Sequence, residues 1–379
     1  MTDAVRTNHA EPRDEAERSH QTENRESAVF ARIEEFRRRK PRLRDEVITL
    51  AHGAGGKASA ALLEAIFVPA FAAGEGQEPT DAAVVHLPGG ERLAFSTDSF
   101  VVHPLSFPGG SIGDLAVNGT INDLAMMGAR PLALSAAFVL EEGFAIDDLR
   151  SVVADMAAAS TRAGVAIVTG DTKVVERGSA DRAYVSTSGI GVIPSGRDLG
   201  ARKVRPGDAV LISGTMGDHG TAVMLARGDL SLDADISSDT APLNELVELL
   251  MRAAPSTRWM RDATRGGVGT VCNELAKAAE VTVVLDEDRI PVRPSVAAAC
   301  ELLGIDALYV ANEGKFVAVV APEEEGCALA ALHAHPLGRD AARIGEIRSD
   351  PPGVVVLRTP IGGTRIVDML VGDPLPRIC

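Results

Sequence analysis

Val165-Ala166-Ile167-Val168-Thr169-Gly170-Asp171-Thr172-Lys173 reads as an apolar β-strand that runs into a glycine, a carboxylate and, two residues on, a lysine. An amphipathic helix is predicted just upstream, from Ile146 to about Ala163, and apolar strands flank the pair at Leu132–Leu140 and Ala183–Ile193. Strands and helices at this spacing bury their apolar faces in stacked layers, so an α/β (α+β) fold is expected. Further upstream, the strand Arg92–Thr97 ends in Asp98-Ser99-Phe100, and the first patterned unit begins at Val47–Leu50 and runs into His52-Gly53-Ala54-Gly55-Gly56-Lys57 and a helix from about Ser59 to Phe67. Bare backbone N–H groups in such a glycine turn suit an anion such as phosphate, although the spacing is not that of a P-loop and a plain flexible loop reads the same way.

Downstream of a Gly- and Arg-bearing linker, Pro194–Pro206, the pattern starts again. Strands are predicted at Ala209–Gly214, Val281–Leu285, Leu308–Val310, Phe316–Val320, Arg343–Ile347 and Val354–Leu357. Helices are expected near Thr221–Ala226, Leu243–Ala253, Val296–Leu303 and Glu323–Leu332, with Asp262-Ala263-Thr264-Arg265-Gly266-Gly267 opening another. Two related α/β domains, 45–195 and 196–360, is the economical reading, with a charged lead at 1–44, its end a short helix, and a tail at 361–379.

Acidic residues outnumber basic ones, 53 to 38, giving a net charge of -15, which disfavours a nucleic-acid partner. No apolar stretch reaches the roughly 18 residues of a membrane span, and four scattered cysteines without metal-ligand spacing fit a reducing cytoplasm. Cys272 and Cys300 fall in apolar helices and read as core, while Cys327 has acidic neighbours and no expected role.

Candidate chemistry gathers at and beside strand ends. Asp98, Asp123, Asp171 and Asp262 have no His or Cys company, which favours a hard cation such as Mg²⁺ leaning on substrate phosphates. Asn118, Lys173 and the loop Gly55-Gly56-Lys57 complete a nucleotide-type set, in which Lys173 would neutralise a phosphoryl oxygen. Taken singly, each Asp also fits a turn or cap role. Asn118, Asn122 and Asp114 share one stripe of a helix spanning Ser111–Pro131 that Gly119 weakens further, an arrangement local propensity does not favour. The chain ends Pro374-Leu375-Pro376-Arg377-Ile378-Cys379: prolines disfavour a helix here, so the thiol could travel as a carrier arm, or be an incidental exposed cysteine.

In their order, Gly55-Gly56-Lys57, Thr97-Asp98-Ser99-Phe100, Asn118 to Pro131, Thr169–Lys173, Asp262–Gly267 and Asn312-Glu313-Gly314 resemble the superfamily of aminoimidazole ribonucleotide synthetase, selenophosphate synthetase and thiamine monophosphate kinase. The ending Pro376-Arg377-Ile378-Cys379 is similar to that of its hydrogenase-maturation carbamoyl dehydratases; Ala263, where proline is commoner, is one departure. The resemblance implies a two-domain PurM-like fold and a homodimer whose N-terminal sheets join in a barrel-like arrangement, binding ATP and Mg²⁺ near the interface. It implies that Cys379 takes a carbamoyl group from the carbamoyltransferase HypF, is converted to a thiocyanate and passes cyanide to iron on HypC and HypD. Glu313, in a turn between two strands, is then the leading base candidate, Lys173 the oxyanion stabiliser, and His52 and His219, in glycine-bearing loops, further possible bases. The alternatives are another ATP-using member of the superfamily acting on a free small molecule, and a non-enzymatic docking scaffold; a selenophosphate synthetase would carry a cysteine or selenocysteine by the glycine loop, and Ala54–Lys57 has none.

Overall fold

A computed structural model of the chain describes residues 43, 45–71, 80–228, 234–370 and 378–379. The expected lead helix, and all of the tail's segment 371–377, lie outside the described residues. Past the 3₁₀ turn Leu50–Gly53, α1 (Lys57–Leu62) continues as a π-helical stretch, Leu63–Phe67, and a last turn, Val68–Phe71. Before the 3₁₀ turn, Val47 and Ile48 are exposed and irregular.

The first sheet holds β1 (Ala83–His86), β2 (Arg92–Phe100), β5 (Arg130–Glu141), β6 (Ala166–Val175) and β7 (Ala183–Ile193), in the order β1-β2-β7-β5-β6; a small hairpin, β3 (Ser106–Phe107) with β4 (Gly110–Ser111), lies apart. Only β5 and β6 run parallel, joined by α3 (Ile146–Ala163), which buries Val152, Met156 and Ala159. On the inner face lies α2 (Ile112–Met126), buried on nearly every side, with Ser111 as its N-cap accepting from Gly113 N at 3.1 Å.

The second sheet runs β14-β13-β10-β12-β8-β11-β9, from β8 (Ala209–Ile212), β9 (Trp259–Asp262), β10 (Thr282–Asp286), β11 (Phe316–Val320), β12 (Ala342–Arg348), β13 (Val354–Arg358) and β14 (Thr364–Val367). Its helices are α4 (Asp218–Arg227), α5 (Asn244–Ala253), α6 (Gly267–Ala279), α7 (Pro294–Leu303) and α8 (Glu325–His333). Leu308–Val310, expected as a strand, is instead a 3₁₀ turn, Ala307–Tyr309, capped by the Asp306 carboxylate accepting from Leu308 N. The segment expected to be tail begins with β14, antiparallel to β13.

Two apolar clusters cross from one half to the other; one packs Ala125 and Met126 of α2 against Leu211, Leu243 and Leu246, and the second holds the chain's last residue but one. The second joins Phe100, Ile112 and Leu115 of the first half to Val223 and Met224 on α4, Val296 and Cys300 on α7, and Ile378. Cys272 packs into the second half's own core, and burial pushes its thiol up to about 12, as suits an inert core cysteine.

Candidate active site

Where the two halves meet, strand ends deliver carboxylates to one spot. Asp262 closes β9, Asp123 sits near the C-terminal end of α2, and Asp81 precedes β1; a carboxylate oxygen from each lies within 4.8 Å of the others. Asp98, near the end of β2, faces the same cluster, adding its repulsion to both Asp123 and Asp262. Burial first, then repulsion from Asp262 on Asp123 and from Asp81 on Asp262, raises both well above the ordinary carboxylate range; burial raises Asp81 to about 6. Three carboxylates this close, Asp262 buried and Asp81 and Asp123 half-buried, suit a hard divalent cation, whose charge would remove the repulsion. Ser96 donates to Asp123 at 2.5 Å and Arg261 approaches Asp81 at 2.8 Å, fixing two of the three.

Asp81 is the residue that sequence reasoning missed. Asp171, expected in its place, is not there, and the reason is the two-residue period of a strand. Registers across the sheet place Asp171, Ala137, Ser186 and Ser99 in one row. Their neighbours Gly170, Ala136, Thr187 and Asp98 form the next row, and Thr187 is buried there, donating to the Ala116 carbonyl of α2. Asp98 therefore points to the inner face and Asp171 to the outer one. Lys173 follows Asp171 outward and pairs with it at 2.7 Å; both are exposed.

Glu313 does not lie in a turn between two strands; it follows the 3₁₀ turn and precedes β11. It is buried, its Oε1 has no hydrogen-bond partner among the described residues, and burial together with Asp262, Asp98 and Asp239 raises its pKa well above the usual range. Its backbone N–H donates to Asp239 at 3.0 Å, and its carbonyl accepts from Asn122. Asn122 also donates to the Ala241 carbonyl and accepts from Leu243 N, while Asn118 donates to Thr240. The polar stripe of α2 thus faces a strap of the second half rather than water.

The glycine loop reaches the cluster through Arg265. Gly55, at φ +74, packs its backbone against Arg265, whose guanidinium donates to the Gly53 carbonyl and stands 4.0 Å from Asp98. Gly56 caps α1, and Lys57 is drawn to the second half, its N–H on the Leu370 carbonyl and its ammonium 2.8 Å from Asp368. Negative charge at Cys379 is the largest influence holding Arg265 protonated, followed against burial by Asp98, Glu313 and Asp123. The tip of the chain is therefore seated at this cluster: Cys379 is half-buried, Ile378 is buried, and the Cys379 carbonyl oxygen accepts from Val101 N. His219 is not in a loop but buried in the first turn of α4, and His52 accepts from Thr49 in its own 3₁₀ turn.

Residues 79–193 match the N-terminal domain of AIR synthase related proteins and residues 205–358 their C-terminal domain. Carbamoyl dehydratase HypE of Cupriavidus necator is 52% identical over 332 residues, 88% of this chain and 95% of that one. The structure of a HypE–HypF complex contains a chain 49% identical, with a TM-score of 0.77, covering 82% of this chain and 100% of its own. A HypE structure in complex with ATP is 43% identical at a TM-score of 0.74, covering 88% of this chain and 100% of that one. This chain, with its two AIR synthase related domains, belongs to the HypE family of carbamoyl dehydratases.

Proposed function

We propose that the chain dehydrates an S-carbamoyl group on its own Cys379 to a thiocyanate at the expense of ATP, in the reducing cytoplasm, supplying the cyanide ligand of the [NiFe] hydrogenase iron centre. The observation that carries this reading is the seating of Ile378 and Cys379 beside Arg265, which joins the tail to Asp98, Asp123 and Glu313. An amide-like oxygen is a poor leaving group. Transfer of the γ-phosphoryl group to the carbamoyl oxygen, with loss of one proton from nitrogen, turns it into phosphate; departure of phosphate with the second N–H proton leaves S–C≡N. Glu313, buried and raised in pKa, would take a nitrogen proton, and Arg265 would complement the oxyanion.

Asp81, Asp123 and Asp262 would hold Mg²⁺, which supplies charge neutralisation at the phosphates when bound. Asp98, Asn118 and the loop Gly55–Lys57 border the place where ATP would lie. The outer face of the first sheet supports a homodimer: its central row, Asp171, Ala137, Ser186 and Ser99, is small and polar, and Phe95, Leu132 and Ile190 are exposed. Joined face to face with a second copy, that sheet would present Asp171 and Lys173 to the other subunit's ATP. HypF would load the tail, as the HypE–HypF complex suggests, and HypC with HypD would accept the cyanide.

Mass analysis of the C-terminal peptide, after incubation with the carbamoyltransferase, carbamoyl phosphate and ATP, tests the reading. A carbamoyl adduct that then loses one water on Cys379 is expected; a cyano product from Cys379→Ala overturns it.

A further inference from the structure

His219 is a buried imidazole with both ring nitrogens engaged. Its Nε2 lies 2.7 Å from the Ile378 carbonyl oxygen and its Nδ1 lies 2.8 Å from Ser238 Oγ. A carbonyl can only accept, so Nε2 carries the hydrogen. Ser238 Oγ itself accepts from Thr240 N at 3.1 Å, which leaves its hydroxyl hydrogen for Nδ1. Burial lowers the pKa of the ring, opposed by Asp239 and by the bond to Ile378, and the edge of Phe107, at 5.4 Å between centroids, restrains its plane.

We propose that His219 and Ser238 form a latch that seats the tail for reaction, His219 gripping the Ile378 carbonyl and Ser238 fixing the tautomer that allows it. Both are positioning residues: neither touches the reacting group, and they act through the peptide one residue before Cys379. The latch rests on the reading that Cys379 carries the carbamoyl group. Three contacts make up the seat. Ile378 fills a place in the apolar cluster, His219 holds its carbonyl, and Val101 N–H holds the next one. Ser238 belongs to the strap that also supports Glu313: Ser238 N donates to the Pro108 carbonyl, and the neighbouring Asp239 accepts from Glu313 N. One short segment therefore sets both the tail's seat and the loop of the candidate base, which places thiocarbamate and carboxylate in register.

The other cysteines make the test internal. Cys272 and Cys300 are buried and Cys327 is exposed, so one alkylation experiment on the full chain, read by peptide mass, reports the tail, the core and the reagent together. His219→Leu should raise the rate of Cys379 alkylation by iodoacetamide about tenfold, the worth of one hydrogen bond to a buried group. Cys272 and Cys300 should stay protected and Cys327 unchanged. His219→Gln, whose amide N–H can take the place of Nε2–H, should return the rate to within about threefold of the original, and Ser238→Ala should fall between. On tail carbamoylated by the transferase, His219→Leu should slow loss of water by a similar factor with ATP affinity unchanged. An unchanged Cys379 rate in His219→Leu, a Gln variant no slower than the Leu variant, or Cys272 and Cys300 reacting in parallel with Cys379 overturns the latch. Should His219→Leu not fold, Ser238→Ala, which removes the partner fixing the tautomer, must still produce a selective rise at Cys379; no rise also overturns it. The alkylation needs neither ATP nor a carbamoyl group, so failure of the latch is distinguishable from failure of the carrier reading, which Cys379→Ala decides.

Discussion

At the scale of single residues, Glu313 carries the sharpest expectation. Its raised pKa, set by burial and by Asp262, Asp98 and Asp239, means that the carboxylate form gains ground only as pH rises. A general base of this kind predicts a dehydration rate with an ascending limb above the ordinary carboxylate range. Glu313→Gln should remove that limb and slow single-turnover dehydration by about a hundredfold or more, with ATP affinity retained. Asp81→Asn makes a different prediction. It would remove one of the three proposed cation ligands, so Mg²⁺ titration followed by calorimetry in the presence of a non-hydrolysable ATP analogue should show affinity lower by roughly tenfold or more. Asp98 and Asp262 were legible because each stands at the end of an apolar strand, and Glu313 through the resemblance that Asn312-Glu313-Gly314 carries. Asp81 was not, since it precedes a strand of four residues with too few side chains to announce itself. Asp171 shares the strand-end appearance of Asp98, but face is decided by what packs on the sheet. The buried α2 covers the even-numbered side of β2, and no local pattern in β6 records that.

At the scale of elements, α2 explains its own unfavourable composition. Gly119 lies against Phe100: a Cβ there would sit 2.8 Å from the Phe100 ring, close to Asp98. Asn122 makes its three bonds to Glu313, Ala241 and Leu243, so the helix works as a bracket between halves rather than as a surface element. Asn122→Ala would strand those buried groups, and urea unfolding should register a loss of about 2 to 4 kcal/mol. Elements with full apolar periodicity were readable to the residue: α3 over Ile146–Ala163, β7 over Ala183–Ile193 and β11 over Phe316–Val320. Those that exist through pairing were not. β14 has exposed residues at three of its four positions and is a strand because β13 offers it an edge, while Leu308–Val310 has strand-like side chains but is turned by the Asp306 cap.

At the scale of the whole molecule, the halves are clamped on a second side by Glu248 of α5. It takes Arg130 from the start of β5 at 2.8 Å, Arg197 from the connecting segment at 2.7 Å and its own helix's Arg252 at 3.0 Å. The bond from Arg130, then that from Arg197, lowers its pKa from 4.5 to about 2. A depressed carboxylate contributes stability that is complete above its unfolded value and is lost as pH falls through its folded one, here from about 4.5 down to about 2. Because Arg130 and Arg252 are largely in water, screening leaves about 1 kcal/mol of this at neutral pH. Glu248→Gln should lower the unfolding free energy at pH 7, measured by urea denaturation, by that amount and flatten its fall between those pH values. The outward aim of Asp171 and Lys173 bears on genetics as much as on structure. If each reaches the neighbouring subunit's nucleotide, Asp171→Asn and Asp262→Asn lie in different halves of one shared site. Each variant alone would be inactive, yet equal amounts dissociated and reassociated at random would regain about a quarter of the original activity, because half the dimers are mixed and each mixed dimer keeps one intact site. Two defective copies in one cell would then complement each other.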